Sequence, residues 1–77
     1  MKIAEIKRLA TIYPPGALDA ALANFDLCGA LPDFVEGADD GERYTHLFGA
    51  RWVQNHMLSE QVDERAALRA YGALMRF

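Results

Sequence analysis

Hydrophobic side chains recur along this chain every three or four residues, the spacing that places them on one face of an α-helix. The first apolar stripe predicts a helix over residues 2–13, which Pro14 and Pro15 end. A second stripe predicts a helix over residues 17–28. Gly29 follows this helix and suits the left-handed conformation in which many helices end.

A third predicted helix, residues 41–58, is apolar around well over half of its circumference. Asp39 and Glu42 have the spacing of a capping box at its start. A helix of this kind either lies at the centre of a bundle or presents a second face to a partner. Ser59 is then predicted to cap a fourth helix over residues 60–76.

Residues 30–41 are the least regular stretch, with Phe34 and Val35 predicted to fasten this loop to the core. Short helices with brief connections bury their apolar stripes most simply by packing on one another. The predicted fold is therefore all-α, a small bundle of three to four short helices. We expect residues 1–77 to form a single helical domain.

Composition limits the classes of protein that remain. A chain of 77 residues is too short for a multi-domain enzyme, and its single cysteine, Cys28, excludes a disulfide-stapled secreted fold. No apolar run reaches the length of a membrane span, and no signal peptide is present, so we expect a cytoplasmic protein that does not use a membrane. Cys28 lies on the apolar face of the second predicted helix, which predicts a buried structural thiol.

The net charge of −3 is unevenly distributed. Residues 1–8 carry +2, residues 9–42 carry −7 without one lysine or arginine, and residues 43–77 carry +2. The acidic block either folds against the basic ends and is neutralised internally, or it faces a basic partner. A charged surface mainly speeds and selects association. Both interpretations remain open.

Two groups of residues are candidates for contact with a partner protein. The first is an acidic stretch whose spacing does not fit a calcium-binding loop, but whose carboxylates can imitate a row of phosphates. The second is a set of aromatic and polar side chains on the third helix, of types common at interface hot spots. These predicted residues are Asp33, Glu36, Asp39, Asp40 and Glu42 in the stretch, and Tyr44, Phe48, Arg51, Trp52 and Asn55 on the helix.

The chain carries no motif that specifies a chemistry. His46 and His56 lie ten residues apart on one helix, or about 15 Å by helical rise, and so cannot share a metal ion. No phosphate-binding glycine loop and no nucleophile elbow is present. We therefore predict no catalytic residue, no cofactor and no metal, and expect a protein that is not an enzyme.

A stripe of three arginines on the fourth predicted helix, Arg65, Arg69 and Arg76, is an alternative anion-binding site. The same stripe could be a solvated face or the internal counter-charge of the acidic loop. Nucleic acid is the less favoured partner, because the acidic block would be repelled by DNA.

These observations favour a small acidic protein-binding module. The hypothesis is an inhibitor, of the kind that phages and mobile elements encode against host defence or nucleic-acid-binding complexes, which occludes a basic surface of its partner. One alternative is a homo-oligomeric regulatory or assembly subunit, such as a homodimer, with the third helix as the self-interface. Another is a small nucleic-acid-binding protein that uses the arginine stripe.

Overall fold

The computed structural model describes residues 1–75, which form four helices joined by short connections. They are α1 (Ile3–Ile12), α2 (Pro15–Cys28), α3 (Asp40–Glu60) and α4 (Glu64–Met75). The long helix α3 is central, because α1, α2 and α4 each pack against it. The predicted all-α bundle is confirmed.

The core lies along α3, and all four helices contribute fully buried side chains to it. These are Ile6 and Leu9 from α1, Leu18 from α2, Leu47 and Val53 from α3, and Ala67 and Tyr71 from α4. Burying one side chain of leucine or isoleucine size stabilises a fold by about 1.5–3 kcal/mol. The apolar surface of α3 therefore serves mostly to pack against the three other helices.

Local signals place the ends of the first two helices. α1 ends at Ile12, before Pro14, and α2 begins at Pro15. Proline suits this first helical position because its missing N–H would have no partner in the helix. α2 therefore starts two residues earlier than predicted. Gly29 ends it with a φ of 72°, and this prediction is confirmed.

Two carboxylate side chains cap the start of α3. The Asp39 carboxylate accepts a hydrogen bond from the Glu42 N–H at 2.8 Å. The Glu42 carboxylate in turn accepts from the Ala38 N–H at 2.7 Å. The capping pair predicted from the sequence is confirmed, although the return bond reaches one residue further back than in the usual capping box.

The prediction that Ser59 caps a fourth helix is wrong. α3 continues through Ser59, and Gln61 ends it in the left-handed conformation with a φ of 53°. α4 begins at Glu64, and the Asp63 carboxylate accepts a hydrogen bond from the Ala66 N–H at 2.8 Å. Aspartate at this position satisfies an amide that the first turn of a helix leaves unbonded.

The prediction of a buried Cys28 is also wrong, since the side chain is exposed. Asp19 pairs with Arg51 and Phe25 contacts Tyr44, so α2 and α3 run antiparallel. In this register Cys28, the last residue of α2, lies level with the first turn of α3. Within the described residues, no helix is both long enough and apolar enough to cross a bilayer.

Candidate functional site

The acidic loop, residues 33–42, has no regular secondary structure until α3 begins at Asp40. Its backbone is nevertheless held in place by side chains of α1 and α3. Arg43 of α3 donates from Nε to the carbonyl oxygen of Val35 and from Nη2 to that of Pro32, both at 2.8 Å. Arg8 of α1 donates to the carbonyl oxygen of Phe34. Guanidinium groups suit this task, because they present several donors in a rigid plane. The prediction that Phe34 and Val35 fasten the loop is confirmed, since Val35 is buried and the Phe34 ring stacks on Tyr13.

Glu5 and His46 hold the next peptide unit of the loop. The Glu36 N–H donates to the Glu5 carboxylate at 3.0 Å, and the Glu36 carbonyl oxygen lies 2.6 Å from His46 Nδ1. A carbonyl oxygen can only accept, so Nδ1 is the donor, and His46 Nε2 accepts from the Lys2 N–H at 2.9 Å. Burial raises the pKa of Glu5, but hydrogen bonds from Arg8 and the Glu36 amide outweigh it and hold that pKa below its ordinary value.

Three of the loop carboxylates, those of Asp33, Glu36 and Asp40, lie at the surface. The Glu36 side chain is 76% exposed at 3.8 Å from Arg8, and that of Asp40 is 73% exposed at 3.1 Å from Arg43. Exposed pairs of this kind contribute little energy. Asp33 is exposed, and no ion pair involves it within the described residues.

Asp39 and Glu42 differ from the other three loop carboxylates because they cap α3. The hydrogen bond from the Ala38 N–H, followed by the one from the Met1 amino group, holds the pKa of Glu42 below its ordinary value. The counter-charges of the loop are Arg8, Arg43 and the Met1 amino group, and the alternative pairing with the arginines of the fourth helix is not observed in residues 1–75.

The aromatic set on α3 is partly covered by α2. The Tyr44 ring packs against Phe25 with ring centroids 4.9 Å apart, and Phe48 beyond it is exposed. Arg51 interrupts this patch because it bonds Asp19 of α2, with Nε 2.7 Å from Oδ1. These contacts place Tyr44 and Arg51 at the edge between two helices.

Trp52 completes this side of α3, with its ring 5.3 Å from that of Tyr71 and stacked at 4.6 Å on His56. Asn55 is exposed beside it. His46, which bonds the acidic loop, and Phe48 are two residues apart on α3, so their side chains point about 160° away from each other around the helix. The structure therefore brings the acidic loop and the aromatic set to different sides of α3, rather than to one continuous surface.

A third surface lies between α1 and α4, and we call it the α1–α4 groove. It has a volume of about 570 Å³. Its lining is partly apolar and partly cationic, and we call the apolar residues its floor and the cations its rim. The floor residues are Ile3, Leu68, Gly72 and Ala73, and the cations at the rim are Lys7, Arg65 and Arg69.

Within residues 1–75, the cations of this groove have no ion pair of the kind that the other arginines form. Arg8, Arg43 and Arg51 each form an ion pair within 4 Å, whereas for residues 1–75 no such pair involves Lys7, Arg65 or Arg69. The one carboxylate in the groove, Glu64, accepts a hydrogen bond from the Thr11 hydroxyl at 2.7 Å. Arg76, the third member of the predicted stripe, lies outside the described residues.

Sequence reasoning found Arg65 and Arg69 but not Ile3 and Lys7, which face them across the groove. Ile3 and Lys7 are four residues apart, as are Arg65 and Arg69, and this spacing puts each pair on one helix face. The spacing within each pair is visible in the sequence. The sequence does not show that the two pairs lie close together, because more than fifty residues separate them along the chain.

The described residues contain no cluster of three or more histidine, cysteine, aspartate or glutamate side chains that could hold a metal ion. The molecule is thus an α3-centred bundle of four helices with an anchored acidic loop and a cation-rimmed groove. The chain belongs to a family described as a family of unknown function (DUF6952), which matches residues 1–76. No curated protein and no solved structure matches it.

Proposed function

We propose that this protein is a non-enzymatic cytoplasmic binding module, whose acidic loop docks on a basic surface of another protein. Docking occludes that surface from its usual ligand and so inhibits the partner. The observation that supports this role is the contrast between the anchored backbone of the loop and its exposed carboxylates. Arg8 and Arg43 bond the backbone carbonyl groups of Phe34 and Val35, while the carboxylates of Asp33, Glu36 and Asp40 are exposed.

Anchoring matters because a partner does not have to order the loop. Fixing flexible side chains and loops is one of the main costs of association, and a loop already held in place avoids much of it. The carboxylates available for binding are those of Asp33, Glu36 and Asp40, since Asp39 and Glu42 cap α3. Their field speeds encounter with a basic surface and weakens as salt is added.

The aromatic set contributes less to this surface than the sequence suggests. Tyr44 and Arg51 have partners on α2, and Phe48 and Asn55 face another side of α3. Self-association through α3 has weaker support for a related reason, because three helices already cover most of that helix.

The experiment is affinity capture from the source organism with two matched variants. Asp33→Asn/Glu36→Gln removes two loop carboxylates. Asp26→Asn/Glu60→Gln removes the same two side-chain types from exposed positions on α2 and α3. Both variants keep the fold, because none of the four carboxylates is buried.

A partner that the wild type and the α2/α3 variant retain, but the loop variant loses, supports the proposal. Equal loss from both variants would mean that only net charge matters, and retention by the loop variant would exclude the loop as the docking surface. Light scattering on the same proteins separates partner capture from self-assembly.

A further inference from the structure

We propose that the α1–α4 groove binds an acidic amphipathic helix of a partner protein. This inference concerns a different surface from the acidic loop and is independent of the function proposed above. Four observations support it: the second apolar face of α4, the shape of the groove, its unpaired cations and the chemistry of its floor.

α4 has a second apolar face that the bundle covers only in part. Ala67 and Tyr71 are buried against α3. Leu68 and Gly72 each follow one of them by one residue, about 100° around the helix, and so form a separate stripe. Met75, which is 42% exposed, continues this stripe three residues beyond Gly72. Leu68 and Gly72 of this stripe line the groove, although Leu68 also packs in part against the core.

The shape of the groove suits a helix. α1 and α4 both pack on α3 but contact each other little, so a trough remains with a helix as each wall. On the α1 side of the groove, the floor residue Ile3 is 39% exposed. Small residues at the floor, Gly72 and Ala73, allow a neighbouring backbone to approach closely. A third helix seated here would pack on both walls, in the helix-in-groove mode of peptide recognition.

The charge of the rim selects the occupant. Lys7, Arg65 and Arg69 surround the apolar floor without carboxylate partners within residues 1–75. A helix with apolar residues on one face and glutamate or aspartate on its flanks would satisfy the floor and the rim together. A second copy docked groove to groove would instead bring like charges together.

The apolar floor also distinguishes a helix from a nucleic acid. Phosphate groups bind cations and backbone amides, and they would leave the floor formed by Ile3 and Leu68 uncovered. An amphipathic helix removes that apolar surface from water. The groove therefore favours a protein segment over RNA or DNA.

The test uses two labelled synthetic peptides of about 18 residues, long enough to form a helix. Both carry leucine along one face, with glutamate on the flanks in the first peptide and lysine in the second. Fluorescence anisotropy measures their binding to the full chain. Lys7→Glu and Arg69→Glu change the rim, and Ala73→Trp fills the groove from an exposed position. Lys2→Glu is the matched control, since Lys2 is exposed and does not line the groove.

We expect the glutamate peptide to bind the wild type, and each rim variant and Ala73→Trp to weaken binding by about tenfold. Lys2→Glu and Asp33→Asn/Glu36→Gln should bind as the wild type does. The double variant Lys7→Glu/Arg69→Glu should bind the lysine peptide instead. Circular dichroism confirms the fold of each variant before binding is compared.

Three kinds of result would overturn the inference. The first is failure of the peptide test, in which either the glutamate peptide does not bind or Lys2→Glu and Lys7→Glu lose binding equally. The second is concentration-dependent self-association that Lys7→Glu abolishes, which would make another copy the occupant. The third is stronger binding of a single-stranded RNA oligonucleotide than of the peptide, with the same sensitivity to Lys7→Glu. Failure here leaves the acidic-loop proposal standing, because its variants lie on another surface.

Discussion

Gly49 of α3 lies directly against the ring of Tyr71 of α4. A Cβ atom at Gly49 would stand 2.8 Å from Tyr71 Cε2 and 3.1 Å from Ile6 Cδ1. The absence of a side chain therefore lets α1 and α4 both pack close to the backbone of α3. This contact sets the distance between α4 and α3, and with it the position of one wall of the α1–α4 groove.

Gly49→Ala should destabilise the protein by about 1–3 kcal/mol, because the added methyl group displaces Tyr71 and Ile6 in a filled core. The higher helix propensity of alanine offsets only part of this cost. Gly16→Ala is the control, since a Cβ atom there meets nothing within 4 Å. It should leave stability unchanged or raise it slightly. Urea denaturation measures both, and equal effects at the two glycines would contradict the packing argument.

Arg43→Lys should loosen the acidic loop without unfolding the bundle. Lysine cannot present the planar set of donors that reaches the Val35 and Pro32 carbonyl groups together. We expect a loss of about 1–3 kcal/mol and faster hydrogen exchange at the Val35 and Glu36 amides. Arg51→Lys, at an exposed pair with Asp19, should cost less than about 1 kcal/mol. Unchanged exchange in the Arg43 variant would show that the guanidinium does not anchor the loop.

Stability should fall in acid through Glu5. The pKa of Glu5 is lower in the folded protein than in the unfolded chain, where it is about 4.3. Its contribution is therefore complete above that unfolded value and is lost as the pH falls through the lowered folded pKa. Glu5→Gln should be less stable by about 2 kcal/mol at pH 7, and should lose less stability on acidification. The same acid dependence in wild type and variant would assign it to other carboxylates.

Cys28 should react readily in the folded protein. The thiol is exposed, and its Sγ donates to the Asn24 carbonyl oxygen at 3.2 Å. We expect a disulfide reagent to label the native protein within about tenfold of the rate in denaturant. Cys28→Ser provides the unlabelled control. Labelling that requires unfolding would restore the buried thiol predicted from the sequence.

The helices and several of their ends were predictable because their causes are local. The apolar stripe of α1, the stop before Pro14, the left-handed Gly29 and the Asp39 cap each depend on residues within about four positions of one another. A local signal also misled, because Ser59 resembles a cap but the helix continues through it.

The surfaces depended on contacts between distant parts of the chain. Arg8 reaches Phe34 across 26 positions, and Cys28, which the sequence places on an apolar helix face, is exposed in the folded chain. Lys7 of α1 and Arg69 of α4 line the same groove only because α1 and α4 both pack on α3. Hydrophobic periodicity states which face of a helix is buried, but not which helix covers it or at what angle. The sequence by itself therefore determined the four helices and the uneven charge, and tertiary packing decided which charges are paired, which are exposed and where a groove opens.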